Sequence, residues 1–335
     1  MHHHACGHCE TTSFHLLVLL VTIAMVFMGF STVYGENHLK KVSLMPQWIP
    51  QAQFAGYMVA KEKGFYRDAG LDLNLLVGGP GKNGFCSLAD SEATFCTGWL
   101  STAIEKRASG VRLVNISQIT QRSALLLVAL KKSGIREPKD LNGKKVGYWV
   151  GEFQVPVQAF IKKHDLRVKM IPNYTTVTIL LKNAVDAVAA MWFNEYHTLL
   201  NSGYNEDELI KLSLGELGAD FPEDGLYCME DTFKADPQMC AALVSASLKG
   251  WSYAFNHQEE AINIVMKYAK TANTGTNRAH QTWMLQKMKD LILPDGKLTV
   301  MGKLQREDYL QVGEALKSLD IVKHLPTFED FYRGK

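Results

Sequence analysis

Between Ala190 and Tyr196 an aromatic face, Trp192, stands beside an amide, Asn194, and a carboxylate, Glu195. Such a trio can hold a flat ring and accept a hydrogen bond from an exocyclic amino group on it. Asn194 and Glu195 also suit the first turn of a helix over Tyr196 to Leu200, where an amide caps and a carboxylate complements the dipole. Gly151-Glu152-Phe153 precedes another helical stretch, and a turn of that kind can present backbone N–H groups to an anion. No basic residue stands nearby in sequence to second a phosphate, and Glu152 would repel one. Two readings stay open there: a neutral ligand held by the Glu152 carboxylate, and a plain helix cap.

Gln47 and Trp48 follow the first strand-like run. A Trp in that place either packs into a core or offers a stacking face, and the Gln amide can donate and accept. Trp99, Tyr148, Tyr227 and Asp224 complete the candidate set. Their competing roles are core packing for the aromatics and turn formation for Asp224. Gly78-Gly79-Pro80-Gly81 could cradle phosphate, but it lacks the Gly-Lys-Ser/Thr continuation of a P-loop.

These residues need elements to position them. Short β-rich runs alternate with longer helical patterns, which predicts an α/β fold on mainly parallel sheets. Strands are expected over Lys41–Leu44, Leu71–Val77, Ala93–Phe95, Val111–Ile116, Leu125–Leu130, Lys145–Trp149, Val168–Ile171, Ala187–Met191 and Leu209–Leu214. Apolar residues at three-and-four spacing predict helices over Phe54–Lys63, Leu100–Ala108, Val155–His164 and Thr176–Ala184. Gly64 is placed to end the first of these in a left-handed turn. Beyond about Tyr227 the pattern is nearly all helical, and that tail is expected to pack around sheets already built. No repeat or low-complexity linker interrupts the chain.

At 335 residues the chain can form two lobes, and 47% hydrophobic with 21% charged residues is an ordinary globular composition. A formal net charge of +2, with no Lys/Arg cluster among stacking aromatics, argues against nucleic acid as a partner. From Phe14 to Val33 the chain is almost wholly apolar and leads into Val33-Tyr34-Gly35, so residues 1–35 are read as an export signal. The run lacks a preceding Lys or Arg and is long enough to span a bilayer, which keeps an uncleaved anchor open. Cys6 and Cys9, with His4 and His8, resemble a metal cluster, but they precede the export signal and leave with it. No metal and no cofactor is expected in the mature chain. Cys86, Cys96, Cys228 and Cys240 remain, either as buried free thiols or with one disulfide, Cys86 and Cys96 being the nearest pair in sequence.

The stretch Met45–Leu75 resembles the opening of the thiamine-pyrimidine family, which contains periplasmic precursor-binding proteins and the eukaryotic pyrimidine synthase. The resemblance rests on Trp48-x-Pro50, Lys63-Gly64-Phe65-Tyr66 and Gly70-Leu71-Asp72. It continues through Ser133–Tyr148, Gly151-Glu152-Phe153 and Ala190–Tyr196, and so covers most of the chain after the leader. It implies a type II periplasmic-binding-protein fold, with lobe one formed by residues 38–128 plus 226–335 and lobe two by residues 129–225. Ligand then sits between the lobes, at loops following the carboxyl ends of the strands. Trp48 is implied as a stacking partner for a pyrimidine ring. Gln47 stands where the family commonly has Asn.

The enzyme branch of that family needs a lysine for a pyridoxal phosphate imine, a histidine and a cysteine-rich segment. Thr97 or Gly98 occupies the lysine's place, Ser101 or Thr102 the histidine's, and Gly218–Asp224 the segment where the cysteines belong. The resemblance therefore implies a non-enzymatic, monomeric periplasmic protein that closes around a pyrimidine-type thiamine precursor and delivers it to an ABC transporter permease in the inner membrane. A sulfonate or flavin ligand on the same scaffold, and a ligand-sensing ectodomain, are the alternatives.

Overall fold

In the computed structural model, residues 39–174, 176–296 and 301–334 are described; the leader and its His and Cys residues lie outside them. Ten strands are described: β1 (Lys40–Met45), β2 (Leu71–Leu75), β3 (Phe95–Gly98), β4 (Leu113–Gln118), β5 (Leu125–Leu130), β6 (Lys145–Trp149), β7 (Lys169–Asn173), β8 (Ala187–Met191), β9 (Leu209–Ser213) and β10 (Gly225–Met229). They form two five-stranded sheets, ordered β2-β1-β3-β10-β4 and β7-β6-β8-β5-β9. The longer helices are α1 (Ala55–Glu62), α2 (Leu100–Ala108), α3 (Val155–Lys163), α4 (Glu195–Asn201), α5 (Pro237–Asn256), α6 (Gln258–Thr271), α7 (Arg278–Ile292) and α8 (Arg306–Ser318). The two-lobed α/β arrangement is the expected one.

Burial follows position in the sheet. The edge strand β2 alternates buried Leu71 and Leu73 with exposed Asp72 and Asn74, whereas every residue of the central β5 is buried. An edge strand solvated on one face carries alternation, and a strand covered on both faces loses it. The outer side of β4 is covered by the tail, through single bridges from Asn115 to Tyr332 and from Gln118 to Gly302. Backbone groups of an otherwise open edge thereby find partners. The helix ending at Gly64 behaves as expected, with Gly64 in the left-handed region at φ 76°.

Three points refine or correct the expectations. Each sheet is mainly parallel, as expected, but carries one antiparallel strand: β5 runs against β8 and β9, and β10 against β3 and β4. Each of these two strands opens immediately after the chain passes between sheets. It starts at the interlobe end, where β1, β3, β6 and β8 finish, and must run the other way. Second, the expected division at 128/129 falls inside β5, which belongs to the second sheet. The passages between sheets lie between Gln118 and Leu125 and between Ser213 and Gly225. Third, the helix expected over Thr176–Ala184 contracts to the single turn Thr178–Leu181. Thr176 Oγ1 accepts from the Thr178 N–H at 3.1 Å, and Asn183 takes φ 55°, so local side-chain bonding and a left-handed turn close it at both ends.

The two passages are stitched together by carboxylates. Asp220 Oδ1 accepts from the Ser123 N–H at 2.6 Å. The buried Glu223 carboxylate accepts from Ser123 Oγ at 2.8 Å and from the Ala124 N–H at 3.0 Å. Burial pushes the Glu223 carboxyl well up. Among the described residues the four cysteines are free, Cys86 exposed and Cys96, Cys228 and Cys240 buried.

Candidate functional site

A cavity of about 370 Å³ opens between the sheets, a size suited to a small organic molecule. Its walls come from residues at or just beyond the carboxyl ends of strands. Gln47 and Trp48 follow β1, Trp99 follows β3, Trp149 and Val150 end and follow β6, and Asn173 and Tyr174 end and follow β7. Met191, Phe193, Asn194 and Glu195 end and follow β8. This is where parallel α/β sheets expose loops to a ligand.

Aromatic rings form one side. Phe153, from the turn before α3, meets Trp48 edge-on at 6.2 Å between centroids and Trp99 at 5.1 Å. One ring from the second-sheet lobe thus bridges two from the first, and each edge-to-face pair contributes about 0.5–1.5 kcal/mol beyond its area. Trp149 lines the same cavity, and its buried indole N–H has no hydrogen-bond partner among the described residues.

The polar part of the lining includes a set of amides held by a carboxylate. Gln47 and Gln53 both donate through Nε2 to the buried Asp224, the second at 2.7 Å, and Gln51 Nε2 donates to Gln53 Oε1 at 2.6 Å. An ionised carboxylate accepts only, so it turns the Gln47 amide nitrogen toward itself and leaves Gln47 Oε1 as an acceptor. The Gln47 backbone N–H is fixed by Thr97 Oγ1 at 2.9 Å. Burial pushes the Asp224 carboxyl up to about 7, against the lowering effect of the two amides.

Glu195 also lines the cavity. Its Oε2 accepts from the Met191 N–H at 2.9 Å and its Oε1 from Asn194 Nδ2 at 2.8 Å. Burial pushes the Glu195 carboxyl up to about 7. Asn194 occupies the N-cap position of α4, yet its side chain makes no capping bond. The amide is used between side chains instead. Among the described residues, those lining the cavity include no Lys, Arg or His.

The expected site residues separate into three groups. Gln47, Trp48, Trp99, Asn194 and Glu195 are brought together on the cavity wall. Asp224 lies one layer behind, as the anchor of Gln47 and Gln53, at a left-handed φ of 37°. Tyr148, Gly151, Glu152, Trp192 and Tyr227 do not line the cavity. Tyr227 is fully buried against Phe85 at 5.2 Å, a core aromatic. Gly151 and Glu152 face a separate depression with Thr102 and Lys106. Trp192 turns to the far side of the β8 loop, where Lys287 Nζ lies 4.3 Å above its ring.

Position at and beyond the strand ends explains the exchanges. Trp192, Phe193 and Asn194 form a turn after β8, and that turn carries Phe193 rather than Trp192 to the cavity. Trp149 and Asn173 are register partners at the ends of β6 and β7, and both face the cavity, whereas Tyr148 points the other way. Alternation along β6 is the signal that finds Trp149. Gln51 and Gln53 carried no such signal, because they sit in an irregular turn and a 3-10 turn. In the glycine loop, Pro80 and Gly81 line the cavity, while a Cβ on Gly78 would stand 1.9 Å from the Pro46 carbonyl oxygen. That glycine is required by close backbone approach to the Trp48 turn.

Comparison with known proteins agrees with this geometry. A formylaminopyrimidine-binding protein from Halalkalibacterium halodurans is 22% identical over 270 residues, 78% of this chain and 81% of that protein. A riboflavin-binding protein from Chloroflexus aurantiacus is 23% identical over 257 residues, 72% of this chain and 70% of that protein. The periplasmic aliphatic sulphonate-binding protein of Escherichia coli superposes with a TM-score of 0.67 at 13% identity, over 87% of this chain and 91% of that one. The desulfurization enzyme DSZB shares the fold too, with a TM-score of 0.61 at 14% identity over 88% of this chain and 97% of that one. The architecture is thus that of periplasmic binding proteins, and because residues 51–261 match the NMT1/THI5-like family, the chain belongs to that family.

Proposed function

We propose that the chain is the solute-binding component of an ABC import system and takes a pyrimidine-type thiamine precursor such as formylaminopyrimidine or hydroxymethylpyrimidine. The observation that carries this reading is one cavity lined by both aromatic faces and hydrogen-bond acceptors, without a cationic residue among those lining it. A flat heterocycle stacks on Trp48 or Trp99, and an amino substituent donates to Glu195. A sulfonate or phosphate would meet the buried Glu195 carboxylate, with the Asp224 carboxylate behind Gln47 and no lining cation to pair with it. The relative named for a formylaminopyrimidine supports the same class of ligand.

No chemistry is proposed for the site. In the synthase branch the places of the imine-forming lysine and the histidine correspond here to Thr97 or Gly98 and to Ser101 or Thr102, none of which forms an imine or transfers a proton near neutrality. Ligand contacts with both lobes favour the closed arrangement, in which Phe153 packs on Trp48 and Trp99. The closed form is then presented to a membrane permease. Export to the periplasm by residues 1–35 completes the proposal, and mass analysis of the purified protein should find a new N-terminus near Glu36.

The test is a calorimetric titration with formylaminopyrimidine, hydroxymethylpyrimidine, riboflavin and an alkanesulfonate. A pyrimidine is expected to bind in the micromolar range or tighter. Binding of the flavin alone supports the second reading, suggested by the Chloroflexus relative. Binding of the sulfonate with no pyrimidine bound overturns the proposal.

A further inference from the structure

On the side of the interlobe contact away from the cavity, one face of α7 grips the loop after β8. His280, Trp283 and Lys287 occupy that face at helical spacing. Trp283 Nε1 donates to the Trp192 carbonyl oxygen at 3.1 Å, and Lys287 Nζ lies 4.3 Å over the Trp192 ring. The His197 ring stacks on Trp283 at 4.8 Å with 16° between planes, and its Nδ1 lies 2.8 Å from His280 Nδ1. His280 Nε2 lies 2.8 Å from Asn194 Oδ1.

The hydrogen-bond directions in this chain follow from the donors available. Asn194 Nδ2 is committed to the Glu195 carboxylate, which only accepts when ionised. Asn194 therefore offers Oδ1 to His280, and His280 Nε2 carries the proton. The remaining nitrogen of His280, Nδ1, faces His197 Nδ1, which Asn201 Nδ2 also approaches at 3.2 Å. The run from His280 through Asn194 to Glu195 has one consistent polarity. It also crosses between lobes, since α7 belongs to the tail that packs with the first sheet while Asn194, Glu195 and His197 follow β8 of the second.

We infer that His280 is a closure-dependent positioning residue: by donating to Asn194 only when the lobes meet, it fixes the amide that orients the Glu195 carboxylate toward the ligand. This rests on the proposed binding of an amino-bearing heterocycle. Closing the lobes then completes the ligand's acceptor rather than merely covering it.

The experiment compares the wild-type protein, His280→Ala and His280→Gln, the last retaining an N–H donor near the imidazole Nε2 position. Each is titrated with hydroxymethylpyrimidine and with the same pyrimidine lacking its exocyclic amino group. His280→Ala is expected to weaken binding of the amino compound at least tenfold and of the deamino compound less than threefold, with His280→Gln within threefold of wild type for both. Equal losses for the two compounds, no loss in His280→Ala, or no recovery in His280→Gln overturns the inference. If the wild type binds neither pyrimidine, the functional proposal has failed on its own. The latch is then judged from small-angle scattering of the unliganded proteins: a larger radius of gyration for His280→Ala than for the other two supports it, and identical radii overturn it.

Discussion

Replacing Glu195 by Gln removes a buried charge while nearly preserving shape, and its effect can be worked out from the surroundings of the carboxyl. In the folded protein burial holds that group at about 7, against an ordinary value near 4.5. Relative to the unfolded chain, folding therefore shifts this group toward its protonated form by roughly 3 kcal/mol. The sign follows directly. Stability from this group is fully present below pH 4.5, declines as pH rises from 4.5 to about 7, and is level above that. Glutamine has no such dependence. Asp224 titrates over the same window, also from a raised value, but is present in both proteins and cancels in their difference. Urea unfolding of the unliganded proteins at pH 5, 6, 7 and 8 should show the variant gaining on the wild type by roughly 2–3 kcal/mol between the extremes. The absolute offset also contains a donor conflict, because one end of the new amide faces either the Met191 N–H or Asn194 Nδ2. Only the pH-dependent part is diagnostic. A difference that stays constant from pH 5 to 8 refutes the reasoning, since it means the carboxyl is not held protonated by burial. At pH 8, where the carboxylate is ionised, loss of a charge-assisted bond to a ligand amino group should weaken binding by about 1.5–3 kcal/mol, tenfold or more.

Two further outcomes follow from the aromatic wall. Trp48→Ala is expected to weaken pyrimidine binding at least tenfold, about 1.4 kcal/mol, in a calorimetric titration; unchanged affinity removes Trp48 from the site. Gly78→Ala places a Cβ 1.9 Å from the Pro46 carbonyl oxygen and 2.7 Å from that of Trp48. Denaturant unfolding should show a loss of about 1–3 kcal/mol, with weaker binding because the Trp48 turn is displaced; wild-type stability shows that the loop yields freely.

Much of this architecture was legible in the residues. The strands Leu125–Leu130, Lys145–Trp149 and Ala187–Met191 stand where β-rich runs predicted them, and Leu100–Ala108 is helical over the expected range. Such segments carry their own periodicity, which tertiary contacts reinforce. β10 was missed because Gly225–Met229 merges in sequence with the helical tail, and its strand state depends on insertion between β3 and β4, far away along the chain. The site was half legible for a similar reason. Trp48 and Glu195 follow strands whose direction the pattern fixes, so their convergence could be inferred. The choice between Trp192 and Phe193 depends on which way one loop turns, and residue type favours the wrong one. Asp224 was identified by type, but its part as the anchor of Gln47 and Gln53 rests on contacts spanning 177 and 171 residues, which no local pattern encodes.

The seating of β10 between β3 and β4 has a consequence for how the molecule comes into being. The second sheet is assembled from the continuous stretch 125–213, whereas the first lacks its fourth member until Gly225–Met229 has been delivered. A chain emerging N-terminus first, from a ribosome or an export channel, therefore carries a first sheet split down its centre while the later-made half of the molecule is already free to form. Completion of the earlier half waits on one short strand, and Asp224, the residue before that strand, reaches its place behind the ligand wall in the same event.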